Sequence, residues 1–544
     1  MLIRVCFVVC CVMFLSATGV QAEEPVDLDI INKIRYEGFK QSEVMDTLKH
    51  LSDVIGSRLT GSPGMIEANE WTRDKMAEWG LENTAVEPWG EFGRGWSYSH
   101  VSVDMLEPRQ TTLFAIPMAW TPGTDGVVEG EVMKVQIKDK DDFEKYEGKL
   151  DGKILLMDKE RPLPKDVNIA DSDSMMRRQY SQSVIPPERQ GDRQKRRRKQ
   201  RKFLPLLREF LAEENALGLI YISPFDYGVI ASFDDSSYGK GQATLPPSVY
   251  MASNYYNQLY RLVTAKHTVR VRLDIDAEFH EENLQAYNTV AEIPGRGSKK
   301  DELVLLGSHL DTTHAGTGAT DDGSSCAVVM EAMRILKAID ARPKRTIRAV
   351  LWSGEEEGLL GSRGYVRNHF ATRPISEEPE DLEVPEYYRE RLWPISPLAD
   401  HKKFSAYFNL DNGGGKILGI FAEDNSAAVP IFEAWLKPFH DLGAKEILMR
   451  HTSGTDHMAF DEVGLPGFQF VQNMRDYMTR THHTNLDDVD HVQREELMQA
   501  SVIMASFVYH AAMRDEKFPR KPMPQEPPEQ EDEDDDEEED EDDD

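Results

Sequence analysis

The chain reads as an α/β protein, a mixed, mostly parallel central sheet flanked by helices, with a β-rich unit inserted into it. Three observations carry that expectation. After Tyr287, short apolar strand-like runs alternate with stretches of helical periodicity, the pattern of strands joined by helices. Between about Thr111 and residue 276 the texture changes to short β-like segments separated by turns. Finally, imidazoles and carboxylates follow the ends of several strand-like runs, where open α/β sheets gather their sites.

In chain order, the first segment has a charged start at Arg4, an apolar run over 5–15 and small residues ending at Ala22. This is the build of a secretory signal peptide, 1–22. The run is about half of the roughly 20 residues that span a bilayer, and no later segment is long and apolar enough to cross one. The expected location is therefore secreted or periplasmic. Cys6, Cys10 and Cys11 lie in the signal, so only Cys326 remains and no intrachain disulfide is expected. A chain this large can build a core that needs no such staple.

Residues 27–81 show helical spacing at Ile30, Ile34, Phe39, Met45, Leu48 and Leu51, and again at Trp71, Met76 and Trp79. The glycine-rich stretch 56–64 between them reads as a loop. Segments 84–89 and 97–106 alternate like strands. Inside the inserted unit, strands are expected at 127–135, 153–157, 217–222 and 269–275, with a helix over 203–214. Eight of the ten residues 193–202 are Lys or Arg with no aromatic among them, which reads as an exposed loop rather than a nucleic-acid surface. Beyond Tyr287 the spacing predicts strands at 288–293, 302–306, 346–352, 405–410 and 467–471. Helices are predicted at 324–339, 359–370, 427–442 and 493–514. The formal charge of −33 overstates the acidity of the folded part, because residues 531–544 supply 14 negative charges and cannot bury a core. The expected division is 1–22 signal, 23–110 first part of the main domain, 111–276 insert, 277–515 main domain and 516–544 disordered acidic tail.

Five side chains stand out as metal ligands: His309, Asp321, Glu356, Asp411 and His483. Two imidazoles and three carboxylates suit a pair of zinc ions, and Asp321, with an oxygen for each ion, suits a bridge. Glu355 beside Glu356 suits a general base that deprotonates the attacking water, while Glu357 is assigned neither role. Asp311 is expected to accept a hydrogen bond from His309 or to support the loop around it, and Asp487 to support His483. Singly each motif has an ordinary explanation. Asp321 to Ser325 reads as a helix N-cap, with a later residue capping while Asp321 faces the metals, and residues 355–357 read as an acidic loop. Their joint position on successive strand ends is what points to metal-dependent hydrolysis.

Ser308-His309-Leu310-Asp311, Thr320-Asp321-Asp322-Gly323-Ser324, Trp352 with Glu355-Glu356-Glu357-Gly358, Asn409-Leu410-Asp411, Gly454-Thr455-Asp456-His457 and His482-His483-Thr484 together resemble the co-catalytic zinc aminopeptidase and glutamate carboxypeptidase family. The stretch 56–62 and the insert are similar to the carboxypeptidase Q branch, whose members are dipeptidases, and the insert resembles a protease-associated domain. The resemblance implies a zinc exopeptidase-like fold, His309 and Asp411 on one zinc, Glu356 and His483 on the other, Asp321 bridging, Glu355 as base and Asp311 orienting His309. It also implies that His482 takes the place where simpler aminopeptidases carry an oxyanion-stabilising tyrosine, which leaves the oxyanion donor open. Cys326 stands where the family has a smaller residue and reads as packing.

The expected function is an exported di-zinc exopeptidase acting on dipeptides or on peptides with a free amino terminus. The alternatives are a catalytically inactive binding module on the same fold and a single-zinc glutaminyl cyclase. The expected partners are a peptide or dipeptide substrate and a second copy of the chain, with no nucleic acid and no membrane after signal removal.

Overall fold

The structure, a computed structural model, describes residues 24–162, 202–226, 228–378, 389 and 391–526. The expected signal peptide, nearly all of the basic stretch 193–202 and the acidic run 531–544 lie outside the described residues. Among the described residues no helix is long and apolar enough to cross a membrane.

The chain enters through α1 (Leu28–Lys40), α2 (Val44–Lys49) and α3 (Pro63–Glu78). Asp27 caps α1 by accepting from the Ile30 amide, and Ser62 caps α3 by accepting from Met65 with Pro63 in the first turn. The strands of the first half are β1 (Glu82–Glu91), β2 (Gly95–Glu107), β3 (Thr111–Thr112), β4 (Ala115–Pro117), β5 (Val128–Lys134), β6 (Lys153–Leu156), β7 (Gly218–Ile222) and β8 (Ser248–Met251). After α4 (Ser253–Thr264) come β9 (Arg270–His280), β10 (Gln285–Ile293), β11 (Leu303–His309), α5 (Ser324–Ala338), β12 (Thr346–Trp352) and α6 (Leu360–His369). A short pair, β13 (Ala371–Thr372) and β14 (Ser396–Pro397), precedes β15 (Phe404–Asn409), β16 (Ile417–Phe421), α7 (Val429–Leu436), β17 (Glu446–Leu448), α8 (His457–Asp461), β18 (Gly467–Gln472) and α9 (Arg494–Met513).

Two eight-stranded sheets result. The main sheet runs β1-β10-β12-β11-β15-β18-β16-β17. Its centre, β12-β11-β15-β18, is parallel, and β1, β10 and β16 join antiparallel. Alternation along each strand sends side chains to two cores. On β11, Val304 and Leu306 pack toward α1, α5 and α9, while Leu305 packs on the other face with Tyr365 of α6 and Phe460 of α8. On β12, Ile347, Ala349 and Leu351 share the first core, and Val350 and Trp352 the second. Both faces are covered, so these strands read as continuous apolar runs rather than half-polar ones.

The second sheet runs β3-β2-β9-β5-β6-β7-β8-β4, with α4 on one face and the helix over 202–213 on the other. It begins at Gly95, upstream of the texture change near Thr111, and ends at His280. The long antiparallel pair β2–β9 explains the difference. Its strands carry alternating polar residues like the outer strands of the main sheet, so composition does not mark the boundary there. The two sheets meet through Leu59, Trp96, Trp120 and Tyr238, and through a bridge between Ala231 and Thr484.

Candidate metal centre

The parallel centre of the main sheet ends its strands in register: His309 pairs with Trp352, and Gly307 with Asn409. His309 is therefore the last residue of β11, the loop 353–359 leaves β12 beside it, and Asp411 lies two residues past β15. The loop leading into α5 brings Asp321 over these ends, and the turn after β18 brings His482 and His483.

All five predicted ligands converge. His309 Nε2 lies 3.2 Å from Asp321 Oδ1 and 3.6 Å from Asp411 Oδ1. His483 Nε2 lies 3.3 Å from Asp321 Oδ2 and 2.9 Å from Glu356 Oε2. Asp321 thus turns one oxygen to each of two imidazole–carboxylate groups. His482 Nε2 stands 4.0 Å from the same Asp321 Oδ2, so Asp321, His482 and His483 also form a compact group, as do His309, Asp321 and Asp411.

The cluster concentrates buried carboxylate charge that cations would offset. Asp321 Oδ2, Glu356 Oε1, Asp311 Oδ1 and both carboxylate oxygens of Asp322 and Asp456 are buried without a hydrogen-bond donor. Burial disfavours a charged His309, yet Asp411 and Glu355 outweigh it and raise its pKa well above the ordinary value. The same contest at His483 is decided by Glu356 and Asp321. Burial, opposed by His309 but aided by Asp411, Asp456 and Glu356, raises Glu355 well above the carboxylate range. His482 is pushed the other way, to about 4, by burial and by its neighbour His483. Hard oxygen donors with two imidazoles and no competing lysine or arginine among them fit two divalent ions of the zinc type.

The surroundings correct several details of the sequence reading. His309 Nδ1 meets the main-chain carbonyl of Asp311 at 3.0 Å, whereas the Asp311 carboxylate is 3.7 Å away. That carboxylate instead accepts from the Glu356 amide at 3.2 Å and from the Thr60 hydroxyl at 3.3 Å, tying the two ligand loops together. Asp487 does not hold His483. It accepts from the Thr320 amide and hydroxyl and from the Asp321 amide, and so sets the Asp321 loop. No side chain caps α5: Gly323 occupies the cap, and Asp321 and Asp322 have non-helical backbone angles. Glu357 is buried beside Thr60 and is pushed well above the carboxylate range by burial, with Asp311 and Asp234 nearby. Cys326 is buried, donates to the His309 carbonyl at 3.0 Å and accepts from Ser308 at 3.2 Å, with burial pushing its thiol up to about 12. It is a packing group, not a nucleophile.

Sequence reasoning passed over Arg58. Its guanidinium is fully buried and donates to the carbonyls of Leu310, Leu51, Gly56, Thr317 and Gly318, clamping both the His309–Asp311 and the Gly318–Asp321 segments. Its only signal was its place in the glycine-rich stretch 56–64. Tyr477 was also passed over; it is buried, packs edge-on against His482 at 4.9 Å between ring centroids, and is raised by burial and by Asp321 and Asp411.

Residues 288–508 match the family described as Peptidase family M28. Carboxypeptidase Q of Bos taurus is 24% identical over 493 residues, covering 90% of this chain and 89% of its own length. A Peptidase M28 precursor from Shewanella amazonensis SB2B has a similar solved structure, with a TM-score of 0.61 and 23% identity over 92% of this chain and 99% of that one. BSAP, a zinc aminopeptidase from Bacillus subtilis, has a TM-score of 0.53 at 18% identity, over 87% of this chain and 95% of that one. The segment that matches peptidase family M28 carries every one of the side chains that converge at the strand ends.

Proposed function

We propose that the chain is a di-zinc exopeptidase that hydrolyses dipeptides or peptides with a free amino terminus. In this reading His309 and Asp411 hold one ion, Glu356 and His483 the other, and Asp321 bridges them. The observation that carries it is the division of Asp321, one oxygen facing His309 at 3.2 Å and the other facing His483 at 3.3 Å. When bound, the two ions supply Lewis acidity to the scissile carbonyl and lower the pKa of the attacking water. Glu355, close to the charges of His309 and Asp411, would take the proton from that water and pass it to the leaving amine. The Asp311 carbonyl fixes the ring of His309, so that Nε2 faces the cluster. His482, stacked on His483, and Tyr477, edge-on against His482, are the groups available to donate to a developing oxyanion.

The second sheet we assign to a protease-associated-like insert that narrows access to the centre or pairs two copies of the chain. Its segment 230–231 touches Thr484 and Asn485, next to His483. Residues 1–22 we assign to an export signal, which amino-terminal sequencing of protein recovered outside the cell would verify.

The test is a panel of free dipeptides, longer peptides and amino-blocked versions of each, offered to the zinc-loaded mature chain and to Glu355→Gln. Cleavage that needs a free amino group and is lost in the variant is the expected result. The preferred length then separates dipeptidase from aminopeptidase. Turnover that survives in Glu355→Gln, or a single zinc per chain in the active protein, would overturn the reading.

A further inference from the structure

Two residues past Asp411 the backbone turns at Gly413, with φ 89°, a conformation that favours glycine. A Cβ added there would lie 3.0 Å from Tyr477 Cβ and 3.1 Å from its Cγ, so the missing side chain makes the room in which the phenol ring lies. The ring also meets His482 edge-on at 4.9 Å between centroids, and His482 stacks on His483 at 3.9 Å. The backbone is fixed as well. The Tyr477 carbonyl accepts from the His482 amide at 2.9 Å and the Thr481 amide at 3.2 Å, and its own amide donates to the Met474 carbonyl at 2.8 Å. Tyr477 is thus seated between the segment that follows Asp411 and the turn that carries His483.

A buried phenol ordinarily finds an acceptor inside the protein. Tyr477 is only 5% exposed, yet its hydroxyl has no hydrogen-bond partner among the described residues. The charges around it are those of the centre itself. Burial, then Asp321, Asp411, Asp322 and Glu356, raise the phenol well above its ordinary value, so the hydroxyl keeps the proton it can donate. Those carboxylates include ligands proposed for both ions. His482 is placed differently: its Nε2 lies 4.0 Å from Asp321 Oδ2, the oxygen that also faces His483. Of the two candidate donors, His482 is turned to a ligand, and Tyr477 has its hydroxyl uncommitted.

We propose that Tyr477 is the catalytic residue whose hydroxyl donates to the substrate carbonyl oxygen as the tetrahedral intermediate forms. This rests on the hydrolytic reading above and decides between the two donors it leaves open. As the water oxygen bonds the carbonyl carbon, Glu355 takes its proton and the C=O electron pair moves onto the carbonyl oxygen. The Tyr477 O–H bond, which does not break, points at that oxygen and stabilises its charge. When the C–N bond breaks, the pair returns to C=O, Glu355 gives its proton to the amine, and the phenol is left unchanged.

Tyr477→Phe removes the hydroxyl and keeps the ring, so its seat against Gly413 and His482 is preserved. The zinc-loaded mature chain, this variant and His482→Gln are compared on one dipeptide that the native chain cleaves. Each is also titrated calorimetrically with a phosphinic dipeptide, whose tetrahedral centre mimics the intermediate. Zinc content and thermal transition are measured alongside. For Tyr477→Phe, kcat is expected to fall about 10²-fold, the effect of one lost oxyanion donor. KM should stay within about twofold, since the contact is made only in the transition state. The phosphinate should bind about tenfold or more weakly, with two zinc ions retained. Native kcat and native phosphinate affinity in Tyr477→Phe overturn the proposal, and so does a loss of activity that follows loss of zinc. A fall in kcat and phosphinate affinity in His482→Gln alone, with zinc retained, overturns it in favour of His482. A native chain that cleaves no peptide and ignores the phosphinate sinks the hydrolytic reading, and this assignment with it.

Discussion

At Asp321 the backbone leaves helical geometry, with φ −130° and ψ 88°, while Asp487 holds the amides of Thr320 and Asp321. The carboxylate is thereby aimed before any ion arrives, and its two oxygens are not interchangeable. Asp321→Asn, which has one carbonyl oxygen, is expected to lower zinc from two ions per chain to one or fewer, measured by atomic absorption after dialysis. Glu355→Gln removes a base but none of the proposed ligands, so it should keep both ions and lose about 10²–10⁴-fold in kcat. His483 sits at φ 60°, a left-handed conformation that side chains with a Cβ rarely adopt, which turns its ring back between Asp321 and Glu356. Arg58 bonds five carbonyls from a position shut off from water, so replacing it leaves several buried acceptors unpaired. Arg58→Met is expected to cost about 3 kcal/mol or more in urea unfolding. Unfolding unchanged within about 0.5 kcal/mol would remove Arg58 from the account of how the loops are set.

Among the elements, the parallel strands and long helices were legible because each buries two faces or one stripe of apolar residues over enough length to show a period. The short ones were not. β16 is a five-residue apolar run and β17 has three residues, too short to display alternation. The helix expected over 427–442 breaks after Leu436 into a tighter turn, where Pro438 has no amide to continue the ladder. The end of β16 is joined to the loop before α8 by Glu423, whose oxygens lie 2.6 Å from His451 Nδ1 and 3.4 Å from His457 Nε2. Burial raises Glu423, but the two histidines outweigh it and hold it at about 2. His451 is raised in turn by its bond to Glu423, against burial. A depressed carboxylate stabilises above its unfolded pKa of about 4.5, and that gain is lost as pH falls toward 2. A raised histidine stabilises below its unfolded pKa of about 6.5, and that gain is lost as pH rises through its folded value. The pair should therefore contribute most between about pH 4.5 and 6.5. The stability difference between the native chain and Glu423→Gln, measured by urea unfolding across pH, should peak in that window and shrink on both sides.

Across the whole molecule, the second sheet and the metal centre are joined at one seam. Ile230, fully buried, donates its amide to Asn485 Oδ1 at 2.7 Å, and the Asn485 amide returns a bond to the Ile230 carbonyl at 3.0 Å. Asn485→Ala is expected to cost about 1–3 kcal/mol by leaving that amide unpaired. It should also loosen the turn that carries His483, read as weaker zinc retention against a chelator. Removal of the ions should itself destabilise the fold, because the buried carboxylates would face one another without compensation. At free zinc a thousandfold above Kd the linkage is about 4 kcal/mol, which calorimetry with and without chelator would register as a lower Tm. A Tm indifferent to chelation would count against ions seated among these side chains.

The residue types and their order were enough to bring forward His309, Asp321, Glu355, Glu356, Asp411 and His483, because metal chemistry accepts few donors and α/β topology offers them few places. Periodicity was enough for the central sheet and its helices, because burial on both faces writes itself into sequence as uninterrupted apolar runs. What the sequence did not hold were contacts between segments remote along the chain. That the carbonyl rather than the carboxylate of Asp311 meets His309, that Asp487 serves Asp321 and not His483, and that Arg58 binds loops more than 250 positions away were decided only in three dimensions. The start of the second sheet at Gly95 belongs with them. A one-dimensional pattern records which surface each residue must bury; it does not record which partner completes a hydrogen bond or shares a charge, since that depends on how the packed elements meet.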